Sequence, residues 1–190
     1  EIAQCLVGSE MCIRDSFAHL FNQNRVDMAF EVTKRELGEL YTFFRLLADG
    51  KVFPGTPDAQ RDDRKCWPVA LIQREEHDGT RRYYIGEEDV RIVSGTVEKD
   101  GTFTASAGKE PLSFPRADFG DAAEIILHLL RNEQGEEVEV SEGLEAFLDA
   151  VNIYDLESRT DDRTDFSVAF WSADAPLTVS YTHLTLPTIA

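Results

Sequence analysis

The chain has 190 residues, 42% of them apolar, enough for one domain with a substantial core, and no apolar run approaches the roughly 20 residues needed to cross a bilayer. A formal charge of −17, with 14 Arg and only 5 Lys, argues against a generic nucleic-acid binder but leaves room for a local DNA groove. Such a surface resembles proteins from salty habitats, where a Debye length of about 3 Å at 1 M salt mutes self-repulsion.

The two ends differ from the body. Residues 1–16, EIAQCLVGSEMCIRDS, hold two of the three cysteines, and residues 178–190 contain no charged side chain in a chain that is 29% charged. Both strings resemble translated sequencing-adapter reads. Residues 1–27 are therefore read as adapter-like and upstream read-through, with Met28 as initiator, and 178–190 as an adapter-like tail. Dropping residues 1–16, with three acids and Arg14, changes the charge only from −17 to −15. Cys66 is then the one cysteine of the body, which excludes a disulfide framework or multi-cysteine metal site there and fits a reducing cytoplasm.

Thr33 and Glu36 have the spacing of a capping box and Gly50 sits where a helix stops, so the intervening residues predict a helix. Leu37, Leu40, Tyr41, Phe44, Leu47 and Ala48 recur at three and four, the period of a stripe turned to a core. Glu36 borders that stripe, and Glu39 lies nearer the polar face. Packing requires neither. Capping by Glu36 and solvation of Glu39 would account for them, and so would a place in a site.

The stretch PGTPDAQRDDRK, 54–65, is too polar to bury, and Pro54 and Pro57 oppose a regular element, which suits a binding loop. Trp67 to Arg74 and Arg81 to Ile85 read as a hairpin about an Asp78–Gly79 turn. A further extended run, Asp89 to Val97, leads through Asp100–Gly101 to a short strand at Thr102 to Ala105 in the same sheet. Asp121 begins a second helix with a stripe of Ala122, Ile125, Ile126, Leu129 and Leu130, and Ser141 caps a third carrying Leu144, Phe147, Leu148 and Val151. His128 lacks a second His or Cys at ligand spacing and reads as an exposed or boundary helix residue. The whole is an α/β or α+β domain.

Gly-rich phosphate loops, the Gly-x-Ser-x-Gly elbow and the His-Glu-x-x-His pair are all missing, which removes the common nucleotide, hydrolase and zinc-protease signatures. What remains is IYDLESRTDDRTDFSVAF, 153–170, where a charged loop passes into alternating Phe166, Val168 and Phe170. Asp165 stands at that junction, and a strand start can hold a carboxylate accurately for a hard ion such as Mg²⁺. Arg159 and Arg163 could pair with Asp161, Asp162 and Asp165, or meet phosphates through paired guanidinium bonds.

The runs KRELGELYTFFRLLADGKVF, WPVALIQREE and ESRTDDRTDFSVAF, in that order, resemble the beginning of the HpaII family of type II restriction endonucleases over residues 28–177. The resemblance implies a restriction-endonuclease-like mixed sheet flanked by helices, of the PD-(D/E)xK class, incomplete at the C-terminus. It implies Mg²⁺-dependent cleavage of both strands of DNA at a short palindrome; the family's namesake cuts at CCGG. By motif, Asp165 corresponds to the first metal-binding acid and Glu36 or Glu39 to the helix acid near it, with Glu75 and Glu76 weaker candidates and Arg159 and Arg163 as DNA contacts. Palindromic cutting implies a homodimeric parent, and protection of the host's own sites implies a cytosine methyltransferase encoded nearby. One departure stands out. In that class a lysine follows the Asp strand, whereas Lys34, Lys51, Lys65, Lys99 and Lys109 all precede Asp165, so this chain is expected to be an inactive N-terminal fragment. The alternative is an acidic interaction protein or DNA mimic without catalysis, which the charge of −17 favours.

Overall fold

A computed structural model describes residues 31–58, 60–76, 78–153, 166–171 and 177–181. The elements run β1 (Glu31–Thr33), α1 (Lys34–Asp49), β2 (Lys51–Val52), β3 (Trp67–Glu76), β4 (Gly79–Ile85), β5 (Asp89–Val97), β6 (Phe103–Ala105), β7 (Leu112–Pro115), α2 (Arg116–Asn132), β8 (Glu137–Glu139), α3 (Glu142–Ala150), β9 (Phe166–Phe170) and β10 (Leu177–Tyr181). The larger sheet has the order β10-β9-β3-β4-β5-β6, with β2 beside β3 and β7 beside β5, and β1 and β8 form a separate ribbon. The α+β architecture is as expected, and the sheet is antiparallel at every described pairing. β10 contains residues 178–181, from the stretch that reads as adapter-like, paired with β9.

Helix α1 organises the core. Thr33 and Glu36 form the predicted capping box, and Gly50 closes the helix in the left-handed conformation at φ 60°, donating its N–H to the Leu46 carbonyl. The arrangement of neighbours at this turn explains the glycine. A Cβ there would stand 2.6 Å from Nη2 of Arg116. That guanidinium in turn donates to the carbonyls of Ala48, Gly86 and Glu87 and ties the end of α1 to the β4–β5 turn.

The apolar stripe of α1 is wider than the sequence reading made it. Phe43 is buried with Leu37, Leu40, Phe44 and Leu47, whereas Tyr41 and Ala48 are only half-buried. Phe43 and Phe44, about 100° apart around the helix, divide the work between two layers. Phe43 meets Tyr83 of β4 edge-on at 4.9 Å and Phe166 of β9 at 5.6 Å. Phe44 meets Phe119 of α2 and Phe147 of α3, both at 5.6 Å. One side of the sheet therefore carries Ile72, Tyr83, Val90, Ile92, Phe166 and Val168 into a core closed by α1 to α3.

Helix α2 starts at Arg116, not at Asp121. The RADFG segment has turn-like composition, but burial of Phe119 against Phe44, Phe114 and Phe147 and the bonds made by Arg116 draw it into the helix after Pro115. Ser141 does precede α3, although its hydroxyl makes no capping bond. The expected hairpin is β3–β4, joined beyond the Glu76↔Gly79 pair, and the run Asp89–Val97 is β5.

Candidate functional site

Glu36 and Glu39 occupy neighbouring turns at the start of α1. Glu36 Oε2 accepts from the backbone N–H of Thr33 at 2.8 Å and from the Thr33 hydroxyl at 2.7 Å, while Thr33 Oγ1 accepts from the Glu36 N–H at 3.3 Å. Both side-chain contacts use Oε2, and Oε1 takes no part in the box. Glu39 is ion-paired with Arg35 at 3.2 Å, and its side chain is only 15% exposed, so it is far less solvated than its place on the helical wheel suggests.

Four residues beyond Glu39 is Phe43, and Phe43 rests on Phe166, the first residue of β9. Phe43, roughly 6 Å beyond Glu39 along the helix axis, therefore links α1 to the start of β9. Asp165, Arg159 and Arg163 lie outside the described residues. Phe166 itself is paired with Arg74 of β3.

Around that entrance the core-facing side of the sheet turns polar. Arg74 Nε stands 3.4 Å from Glu76 Oε1, with side-chain exposures of 14% and 0%. Next to them is Arg81, also buried, whose Nη1 and Nη2 donate to the two oxygens of Asp78 at 2.7 and 3.1 Å. Lys109 reaches Asp78 from the β6–β7 connection at 3.5 Å. The hydrogen bond from Arg81 pulls the Asp78 carboxyl down to about 2, with the charges of Arg81 and Lys109 adding to it. Tyr83, fully buried beside Arg74, Glu76 and Arg81, has its hydroxyl pKa raised by burial. The Tyr83 hydroxyl has no hydrogen-bond partner among the described residues.

Of the weaker candidates, Glu76 is in this buried group and Glu75 is exposed. His128 is exposed, as expected. Arg74, Arg81 and Tyr83 escaped the sequence reading, yet a signal was there. Ile72, Arg74 and Glu76 alternate on one side of a strand, as do Arg81 and Tyr83, so a core face at Ile72 carries charge two and four residues on.

No three His, Cys, Asp or Glu side chains converge as a metal cluster among the described residues. Glu36 and Glu39 supply hard carboxylate oxygens, the donor chemistry that suits Mg²⁺. None of the described helices is long and apolar enough to cross a membrane. No curated protein and no solved structure matches the chain significantly. The family model for the HpaII restriction endonuclease, by contrast, matches residues 33–182, most of the chain including α1, the sheet and β9, and the protein belongs to that family.

Proposed function

We propose that this chain carries the metal-binding acids of a type II restriction endonuclease that makes Mg²⁺-dependent double-strand cuts in DNA at a short palindrome, with CCGG the first target to assay. The observation that carries the reading is the contact of Phe43 with Phe166, which brings the helix bearing Glu36 and Glu39 to the strand entered through Asp165, in a chain of this family. Asp165 and Glu36 would hold the ion, with Glu39 as the alternative helix acid. When bound, Mg²⁺ supplies a water of lowered pKa and neutralises charge that develops on the phosphate.

The chain's own residues do the rest. The capping box fixes the backbone from which Glu36 projects, and the ion pair with Arg35 fixes Glu39. Arg159 and Arg163 would orient the DNA backbone through parallel guanidinium bonds to phosphate oxygens. The acid-x-Lys half of the motif has no counterpart after Asp165, because Lys109 is the last lysine. The 190-residue chain therefore binds DNA without cutting it. A homodimer suits a palindromic target, and a cytosine methyltransferase encoded nearby would protect the host.

Two measurements on plasmid and duplex DNA test this. The chain should retain labelled duplex in fluorescence anisotropy at low salt, and should leave supercoiled plasmid intact with Mg²⁺. Failure to bind any duplex would remove the nuclease reading; discrete plasmid fragments would refute the inactivity.

A further inference from the structure

Two contacts fix how α1 lies across β3. At the helix end the Gly50 carbonyl accepts from the Val69 N–H at 2.9 Å, and at mid-helix the Phe43 ring lies 5.8 Å from the Arg74 guanidinium. Helix and strand therefore run in opposite senses, so the start of α1 and the end of β3 point to one end of the molecule. Glu39 lies one turn, roughly 6 Å, beyond Phe43 in that direction and about 40° around the helix from it. Glu76 lies two residues, roughly 7 Å, beyond Arg74. β9 is entered from the same end, because its first residue, Phe166, is the ladder partner of Arg74 and the pairing is antiparallel.

Glu76 is on the side of β3 that faces the helix. It alternates with Ile72 and Arg74, its side chain is fully buried, and its Oε1 is 3.4 Å from Arg74 Nε. Glu75, one residue back, faces the other way and is exposed. Charge balance accounts for part of this arrangement. Arg74 and Arg81 are directly opposed in the β3–β4 ladder, where like charges repel, and Glu76 and Asp78 offset them. That balance leaves one buried group unanswered. The Tyr83 hydroxyl, on the same side and one ladder row away, feels the charges of Arg74, Glu76 and Arg81, yet it is fully buried and makes no hydrogen bond among the described residues. A buried hydroxyl of that kind marks a place for a hydrated ligand.

Resting on the nuclease reading above, we infer that Glu76 is a further ligand of the divalent ion, approaching it from β3 as the helix acid approaches it from α1. Mg²⁺ is octahedral, so a third carboxylate beside Asp165 and the helix acid still leaves positions for water. Such waters are the partners that the Tyr83 hydroxyl lacks. Glu76 and one helix acid make two carboxylates, in keeping with the lack of a three-acid cluster among the described residues. Arg74 compensates the buried Glu76 carboxylate in the metal-free protein.

The test is a titration of the 190-residue chain with Mn²⁺ at high salt, with free Mn²⁺ read by its EPR signal. Glu76→Gln should raise Kd at least about tenfold, the lower end of what loss of a supporting group costs a metal site, while Glu75→Gln leaves it unchanged. Because Glu76→Gln strands the Arg74 charge, Arg74→Met/Glu76→Met is measured beside it. Folds tolerate exchange of a buried ion pair for apolar side chains, and circular dichroism verifies the helices. The folded double variant should show the same loss of Mn²⁺ affinity. An unchanged Kd in that variant overturns the assignment, and loss of binding in Asp165→Asn would then leave the nuclease reading standing. An equal loss in Glu75→Gln traces binding to the acidic surface and also overturns the assignment. A wild-type chain with no saturable Mn²⁺ site overturns both.

Discussion

Glu36 has a structural task and a proposed chemical one, and glutamine separates them. A Gln at this position can still accept from the Thr33 N–H and hydroxyl, because the capping box tolerates Glu or Gln. It cannot offer a charged oxygen to a divalent ion. Glu36→Ala removes the 2.8 and 2.7 Å bonds together with a favourable charge at the helix start. With about 1 kcal/mol for the cap and 0.3–1 kcal/mol for the dipole, the loss should be about 1.5–2 kcal/mol. Glu36→Gln keeps the bonds and loses the charge, so about 0.5 kcal/mol is expected. Thr33→Ala, which removes the 3.3 and 2.7 Å contacts of the hydroxyl and leaves the backbone bond, should cost about 1 kcal/mol. Urea unfolding reads these as midpoint shifts at constant slope. The same three proteins are then unfolded thermally with and without Mn²⁺ as a Mg²⁺ surrogate. Metal-linked stabilisation should vanish in Glu36→Gln and persist in Thr33→Ala. If Glu36→Gln destabilises as much as Glu36→Ala, the box does not work through hydrogen-bond geometry. If Glu36→Gln keeps the full metal response, the ligand is not Glu36 and Glu39→Gln becomes the decisive variant.

Phe43→Ala should cost about 3–5 kcal/mol in urea unfolding, since the ring is buried among Phe44, Tyr83 and Phe166 and links α1 to both β4 and β9. Arg116→Ala should cost about 2 kcal/mol, the net of several hydrogen bonds from one cation to the carbonyls of Ala48, Gly86 and Glu87, and Arg116→Lys should recover little because an ammonium cannot fork. For Asp78 the folded pKa lies below the unfolded one, so its stabilisation is present above about pH 4 and disappears as pH falls through about 2. The shift is worth at most about 2.5 kcal/mol, and the side chain's 35% exposure reduces this to about 1 kcal/mol. Asp78→Asn should therefore lower stability at pH 7 and flatten the acid limb between pH 4 and 2, read as urea midpoints across that range.

Where local signals were strong, the sequence was legible. The box at Thr33 and Glu36, the glycine at 50 and the three-four spacing bounded α1, and period-two runs between Asp-Gly turns marked β3, β4 and β5. The short strands β1, β2, β7 and β8, of two to four residues, leave no periodic trace; each exists because of a partner elsewhere. Pairing of β3 with β9 joins Val69 to Phe170 across a hundred residues, and no local feature announces it. The burial of Glu39 has the same origin, since a helical wheel shows which face is polar but not what the rest of the chain lays over it. Arg74 and Glu76 were obscured differently. Their composition reads as a strand running out into solvent, yet α1 covers that end of the sheet through Phe43, to which the Arg74 guanidinium lies 5.8 Å away.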